Sequence, residues 1–119
     1  MTILCYGIPN CDTVKKARAW LQAQGLAHEF IDLKKVEVAP LLAAWEAQGL
    51  PWERLLNRQG TTWRKLDAAA QAQAQEAAGA AALMSDHPSL IKRPVVRWAD
   101  GTLTVGFDAA RWAQERVAR

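Results

Sequence analysis

The sequence predicts a single α/β domain spanning residues 1–119, and three observations carry this prediction. A short apolar run over residues 2–6 is followed by a helical pattern and then by a second strand-like run over residues 28–33. Near the other end, two strand-like runs over residues 94–98 and 102–107 flank an Asp-Gly turn, which is a strong hairpin signal. The length of 119 residues, half of them apolar, suits one domain with one core.

The segment between the first two strands is predicted to be a helix over residues 11–24. Apolar residues recur there at three- and four-residue steps, and Gly25 follows as a stop signal. Asn10 is the expected N-cap, which places Cys11 in the first turn. Because a helix lies between them, the two strands are expected to pair in parallel as a βαβ unit.

The middle of the chain, residues 38–90, is predicted to be a helical insertion. Pro40 opens one apolar helix, and residues 52–56 form a shorter helical face. Residues 68–82 are almost entirely Ala and Gln, which have high helix propensity. We therefore expect a helix there that is interrupted near Gly79.

A helix over residues 109–117, capped by Asp108, is predicted to close the chain. The order of elements is then βαβ, a helical insertion and ββα. This order is that of a thioredoxin-like, or glutaredoxin-like, mixed β-sheet with an inserted helical subdomain.

Charge and composition narrow the choice of partners. The net charge of +3 comes from basic residues spread among acidic neighbours, which suits a small anionic ligand and argues against direct nucleic acid binding. No apolar stretch is long enough to cross a bilayer, and the start of the sequence lacks the basic leader of a secretory signal. We therefore expect a cytoplasmic protein with no membrane partner. The two cysteines and two histidines show no metal-ligand spacing, so no metal is expected.

Cys11 is the candidate nucleophile, because sparse cysteine usage in a cytosolic chain indicates free thiols. At the start of a helix, unpaired backbone N–H groups and the helix dipole favour its thiolate. Lys15 comes one turn later as a candidate cation, whereas the Asp12 carboxylate opposes a second negative charge and is expected to point outward. Val14 replaces the second cysteine of a Cys-x-x-Cys motif, and Cys5 lies within the first strand, where a thiol is inert. The chemistry is therefore predicted to be monothiol.

Three segments have the character of motifs: YGIPNCDTVKKA at residues 6–17, GTTWRKL at residues 60–66 and IKRP at residues 91–94. Together they resemble the ArsC/Spx family, closest to its YffB-type branch. The segments occur in the family's order and spacing, and the likeness covers nearly the whole chain. The resemblance implies a thioredoxin-like sheet with a helical insertion and a catalytic thiol at Cys11.

The resemblance also implies an anion site beside the thiol, in which Arg93 is followed by a cis proline, Pro94. A guanidinium offers planar, bidentate binding to a carboxylate or an oxyanion. The residues expected to bind substrate or glutathione are Lys15, Arg93, Pro94, Asn10 and Arg58. Arg58 stands as the counterpart of a second family arginine, displaced within residues 57–60.

The predicted function is that of a glutathione- or glutaredoxin-linked reductase, in which the Cys11 thiolate forms a mixed disulfide. Glutathione is the expected co-substrate, glutaredoxin is the expected protein partner, and no tightly bound cofactor is expected. Arsenate reduction is an alternative that the resemblance raises, although Asp12 would repel arsenate. A second alternative is an Spx-like regulator that binds RNA polymerase without being an enzyme, although Val14 removes the Cys-x-x-Cys switch of such regulators.

Overall fold

The computed structural model describes residues 2–117. In chain order its helices and strands are β1 (Ile3–Gly7), α1 (Asp12–Ala23), β2 (His28–Asp32), α2 (Val38–Ala47), α3 (Trp52–Leu55), α4 (Thr61–Lys65), α5 (Ala68–Ala72), α6 (Ala77–Asp86), β3 (Val95–Arg97), β4 (Leu103–Val105) and α7 (Ala109–Trp112). A π-helical turn, Ala113–Val117, continues α7. The chain divides into two compact units, of which the second is Leu33–Lys92 and the first is the remainder. Within residues 2–117, no helix has the length and apolar character needed to cross a membrane.

The first unit is built on a four-stranded sheet in the order β2-β1-β3-β4. β1 and β2 pair in parallel, from Ile3 opposite His28 to Gly7 opposite Asp32, with α1 as the crossover. β3 runs antiparallel to β1 and to β4. The mixed sheet with βαβ followed by ββα is thus the predicted one, and the thioredoxin-like fold class is confirmed.

The core of the first unit lies between the sheet and α1. Val14, Ala17 and Leu21 are buried, and their spacing over three and four residues places them on one side of α1. The core cluster joins strand, helix and tryptophan side chains: Ile3, Cys5, Ala17, Leu21, Val96, Trp98 and Trp112. Both cysteines are free thiols, so packing rather than a disulfide fixes α1 on the sheet.

The predicted Asp-Gly hairpin joins β3 to β4. Gly101 has a φ of +88°, which glycine adopts without strain. The Asp100 side chain accepts a hydrogen bond from the Thr102 N–H at 2.9 Å and tightens the turn. Asp108 caps α7 by accepting from the Arg111 N–H at 3.1 Å, as predicted.

The second unit is helical and contains α2 to α6. α2 begins at Val38, two residues before Pro40, because proline is compatible with the first turn of a helix, where its missing N–H costs nothing. α4 was not predicted from the sequence, because it buries no residue and so shows no apolar periodicity. Near the end of this unit, Leu56 and Ile91 form an antiparallel bridge, and the Lys92 N–H donates to the Leu55 carbonyl at 2.7 Å.

The predicted interruption of the Ala- and Gln-rich stretch is present, but it lies at Glu76, before Gly79 and not at the glycine itself. Glu76 has extended backbone angles, φ −128° and ψ 152°, between the 3-10 turn Gln73–Gln75 and α6. Gly79 lies inside α6, where a Cβ atom would come 2.0 Å from the Gln73 carbonyl oxygen. The glycine therefore permits a close approach of backbone to backbone and does not end a helix.

Candidate functional site

Cys11 lies at the carboxyl end of β1 and is the N-cap residue of α1. Its backbone is extended, with φ −124° and ψ 123°, and its carbonyl accepts the Lys15 N–H at 2.9 Å. The prediction that Asn10 is the N-cap was wrong, because Asn10 lies in the turn before Cys11 and the helical bonds begin one residue later. Cys11 is half-buried, in contrast to the fully buried Cys5.

The surroundings of Cys11 favour the thiolate. Burial raises the pKa of the Cys11 thiol, but the backbone N–H of Val14, the hydrogen bond and charge of Arg93, and the backbone N–H of Thr13 together lower this pKa below its ordinary value. An N-cap side chain normally accepts from the backbone N–H of the second or third helical residue. Thr13 and Val14 are those two residues, and their N–H groups lower the pKa of the thiol although the Cys11 side chain makes no cap hydrogen bond.

These two N–H donors were not singled out from the sequence. Because the N-cap was predicted one residue too early, at Asn10, the second and third helical residues were also assigned one residue too early. The amides nearest to the sulfur were therefore not identified. The extended strand and turn before Cys11 were visible in the sequence. Had the cap been set at Cys11, its spacing to Thr13 and Val14 would have identified both donors.

Arg93 reaches the thiol because of the register of the sheet. β3 begins just after Pro94, and Val95 lies opposite Tyr6 near the end of β1. Antiparallel pairing therefore places Arg93 beside the loop that carries Cys11. The Arg93–Pro94 peptide bond is cis, and the Pro94 carbonyl accepts the Gly106 N–H at 2.8 Å.

The other expected binding residues lie in different surroundings. Asn10 and Lys15 are exposed before and within the first turn of α1, on the same unit as Cys11 and Arg93. Arg58 belongs to the second unit, where its guanidinium donates to the Ala74 carbonyl at 3.1 Å and stacks over a tryptophan ring. The structure thus brings Arg93 to the thiol and shows local contacts for Arg58 within the insertion.

Cys5 is chemically distinct from Cys11. Its side chain is fully buried, and burial raises the pKa of its thiol from 9.0 to about 11, with Arg18 opposing the rise. A thiol that is protonated and shielded at neutral pH is a poor nucleophile. Over the described part of the chain, no group of three or more His, Cys, Asp or Glu side chains is arranged to hold a metal ion.

Comparison with known proteins gives the family. The model of the ArsC family matches residues 6–114. The chain belongs to the ArsC family. A solved YffB protein is 44% identical, covers 95% of this chain and 97% of its own, and superposes with a TM-score of 0.83. A solved arsenate reductase (ArsC) related protein from Brucella melitensis is 45% identical over 97% of this chain and 94% of its own, with a TM-score of 0.75.

A relative known from its sequence supports the same membership. An uncharacterized protein of Haemophilus influenzae is 36% identical over 107 residues, which are 89% of this chain and 91% of the relative. The resemblance to the ArsC family, with a YffB protein among its similar structures, is therefore confirmed. Membership in the ArsC family and the thioredoxin-like fold support a thiol-dependent reductase in general terms.

Proposed function

We propose that this ArsC-family protein is a glutathione- or glutaredoxin-linked reductase that uses Cys11 as its single reactive thiol. The observation that carries the proposal is the difference between its two cysteines. Cys11 is half-buried and has a lowered pKa, whereas Cys5 is fully buried and has a pKa of about 11. Only Cys11 is therefore ready for thiol-disulfide exchange at neutral pH.

The reaction consists of two exchanges. The Cys11 thiolate attacks the glutathione sulfur of a mixed disulfide substrate, so the substrate S–S bond breaks and a Cys11–glutathione S–S bond forms. The substrate sulfur leaves as a thiolate and takes a proton from water. A second glutathione, as its thiolate, then attacks the glutathione sulfur bound to Cys11, releasing glutathione disulfide and the Cys11 thiolate. Two glutathione sulfurs are thereby joined as the disulfide and the substrate sulfur is reduced.

Arg93 has two roles in this proposal. In the free protein it donates a hydrogen bond to the Cys11 sulfur and favours the thiolate. In the mixed disulfide the sulfur is neutral, and the guanidinium is proposed to bind a glutathione carboxylate, for which its planar fork is suited. Lys15 and Asn10, both exposed near the start of α1, are the further groups proposed to bind glutathione.

Turnover of a glutathionylated peptide tests the proposal. The rate of peptide thiol release is measured with glutathione and glutathione reductase for the wild-type protein, Cys11→Ser and the matched control Cys5→Ser. We expect Cys11→Ser to be inactive and Cys5→Ser to keep its rate, because the buried thiol takes no part. Undiminished turnover by Cys11→Ser would reject the mechanism.

Arsenate reduction is a second candidate, favoured by Arg93 beside the thiol and by the similarity to the Brucella melitensis arsenate reductase-related protein. The exposed Asp12 carboxylate in the first turn of α1 opposes it, because like charge disfavours a bound oxyanion. Arsenate-dependent oxidation of NADPH, coupled through glutaredoxin and glutathione reductase, decides between the two. No turnover at saturating arsenate leaves the disulfide reaction alone.

A further inference from the structure

The second unit carries an apolar groove between α2 and α6 that the proposed function does not use. We call it the alanine groove. Its volume is about 200 Å³, and its walls are alanines: Ala39, Ala43, Ala77, Ala78 and Ala81. The side chains of Leu42, Leu55 and Met84 line it from the buried core, and Trp52 and Glu46 complete the lining.

The groove results from the sizes of the side chains along α2 and α6. Val38, Leu42 and Trp45 form the buried row of α2, and the adjoining row of the same helix begins with Ala39 and Ala43. Alanine side chains are too short to fill the space between two helices whose separation is set by larger buried residues. Apolar surface is thereby left in water, although its burial would be favourable by about 25 cal/mol per Å².

The charge of these helices is opposite to that of the whole chain. Glu46, which lines the groove, is exposed. The charged residues of α2, α3 and α6 with their N-cap positions are Glu37, Glu46, Glu53, Arg54, Glu76 and Asp86. Five acidic residues and one basic residue give these elements a net charge of −4, in a chain whose net charge is +3.

We infer that the alanine groove binds a basic amphipathic helix of another protein, with leucine-sized side chains in the groove and a lysine or arginine paired with Glu46. A cavity of about 200 Å³ is below the roughly 300–1,000 Å³ of small-molecule sites, so it suits protein side chains. Alanine walls allow a third helix to approach closely, and helix-in-groove recognition uses such apolar anchors one turn apart.

Glu46, the one charged residue of the groove lining, disfavours other occupants. In a symmetric dimer the groove would meet itself, which would bring two Glu46 carboxylates together with no basic lining residue to pair with them. Anionic lipid surfaces and nucleic acids carry the same sign of charge as Glu46. A cationic helix satisfies both the apolar and the electrostatic character of the groove.

Fluorescence anisotropy with two designed peptides tests this inference on the full-length protein. One labelled peptide of about five helical turns has leucines on one face and lysines on the other. The second peptide has glutamate in place of every lysine. We expect the wild-type protein to bind the lysine peptide, to bind it more weakly at high salt, and to leave the glutamate peptide unbound.

Variants of the groove give the decisive comparison. Glu46→Lys is expected to weaken binding of the lysine peptide about tenfold and to gain binding of the glutamate peptide. Ala43→Trp is expected to weaken lysine-peptide binding about tenfold, because the indole fills the groove from an exposed position. The matched control, Glu29→Lys, changes an exposed glutamate on β2 and should leave binding unchanged, as should Cys11→Ser.

Three results would overturn the inference. The first is absence of binding, or equal binding of the two peptides, by the wild-type protein. The second is unchanged affinity in Glu46→Lys and Ala43→Trp while both remain folded by circular dichroism. The third is self-association of the wild-type protein in sedimentation, abolished by Ala43→Trp, because the occupant would then be a second copy of this chain.

Discussion

Cys11 is the N-cap residue of α1, a position where serine, threonine, aspartate or asparagine is usual, but its side chain makes no cap hydrogen bond. The groups that lower the pKa of its thiol are the backbone N–H groups of Thr13 and Val14 and the Arg93 side chain. Substitution can remove only the side-chain donor, so Arg93 is where the electrostatics of the thiol can be changed without altering the helix.

Arg93→Met is therefore expected to raise the pKa of the Cys11 thiol toward its ordinary value, because it removes both a hydrogen bond and a positive charge. The rate of alkylation of Cys5→Ser protein as a function of pH measures this. The inflection should move to higher pH, and the rate at neutral pH should fall several-fold. Arg54→Met, at an exposed arginine of α3, is the control. Superimposable profiles for Arg93→Met and the control would contradict the assigned role of Arg93.

The raised pKa of the buried Cys5 thiol predicts that the stability of the folded protein depends on pH. Its pKa is raised from 9.0 to about 11 in the folded state, so the unfolded chain releases this proton first as the pH rises. The contribution of the neutral thiol is fully present below pH 9 and is lost as pH rises toward 11. At about 1.4 kcal/mol for each pKa unit, the loss approaches about 3 kcal/mol.

Urea unfolding between about pH 8 and pH 11 measures the effect, at roughly 1.4 kcal/mol per unit of pH over the affected range. The free energy of unfolding of the wild-type protein should fall more steeply than that of Cys5→Ala, which has no thiol to titrate. Parallel curves for the two proteins would show that the buried thiol ionises as readily folded as unfolded.

Among the helices and strands, those with a repeating apolar pattern or a characteristic turn pair were predicted correctly from the sequence. α1 repeats Val14, Ala17 and Leu21 on its buried side, and the Asp-Gly pair forms the hairpin turn between β3 and β4. Both signals depend on a few neighbouring residues. α4 has no buried residue, so it left no such signal.

Gly79 shows why a local signal can mislead. A glycine in an Ala-rich stretch suggested a helix break, but the break is at Glu76, and Gly79 accommodates the Gln73 carbonyl. That requirement arises from the packing of α6 against the turn that precedes it. Helix propensity is a property of single residues and contains no information about such packing.

Gly79→Ala should accordingly destabilise the protein by about 1–3 kcal/mol, since a Cβ atom would lie 2.0 Å from a backbone oxygen that cannot move aside cheaply. Helix propensity alone predicts a change of the other sign, a gain of about 1 kcal/mol. Chemical unfolding decides by the sign of the change: a Gly79→Ala variant more stable than wild type would contradict the close approach.

For the molecule as a whole, the order of elements along the chain and the position of the thiol were predicted from the sequence, whereas the two backbone donors, Thr13 and Val14, were not. The order βαβ, insertion, ββα places the start of α1 and the start of β3 at the same end of the sheet. Arg93 was expected at the site from family resemblance, not from spacing in the sequence. The groove of the second unit was not predicted from the sequence. A run of alanines indicates high helix propensity, but it does not reveal which side chains stay exposed between two helices.

Mass spectrometry after brief treatment with glutathione disulfide at neutral pH tests most directly whether one stabilised thiolate defines this protein. Peptide mapping locates the adduct, and the same treatment of Cys11→Ser is the control. We expect one glutathione per chain, on Cys11, and none on Cys5 or on the Cys11→Ser protein. An adduct on Cys5, or an unmodified Cys11 under conditions that modify free cysteine, would contradict the proposed site.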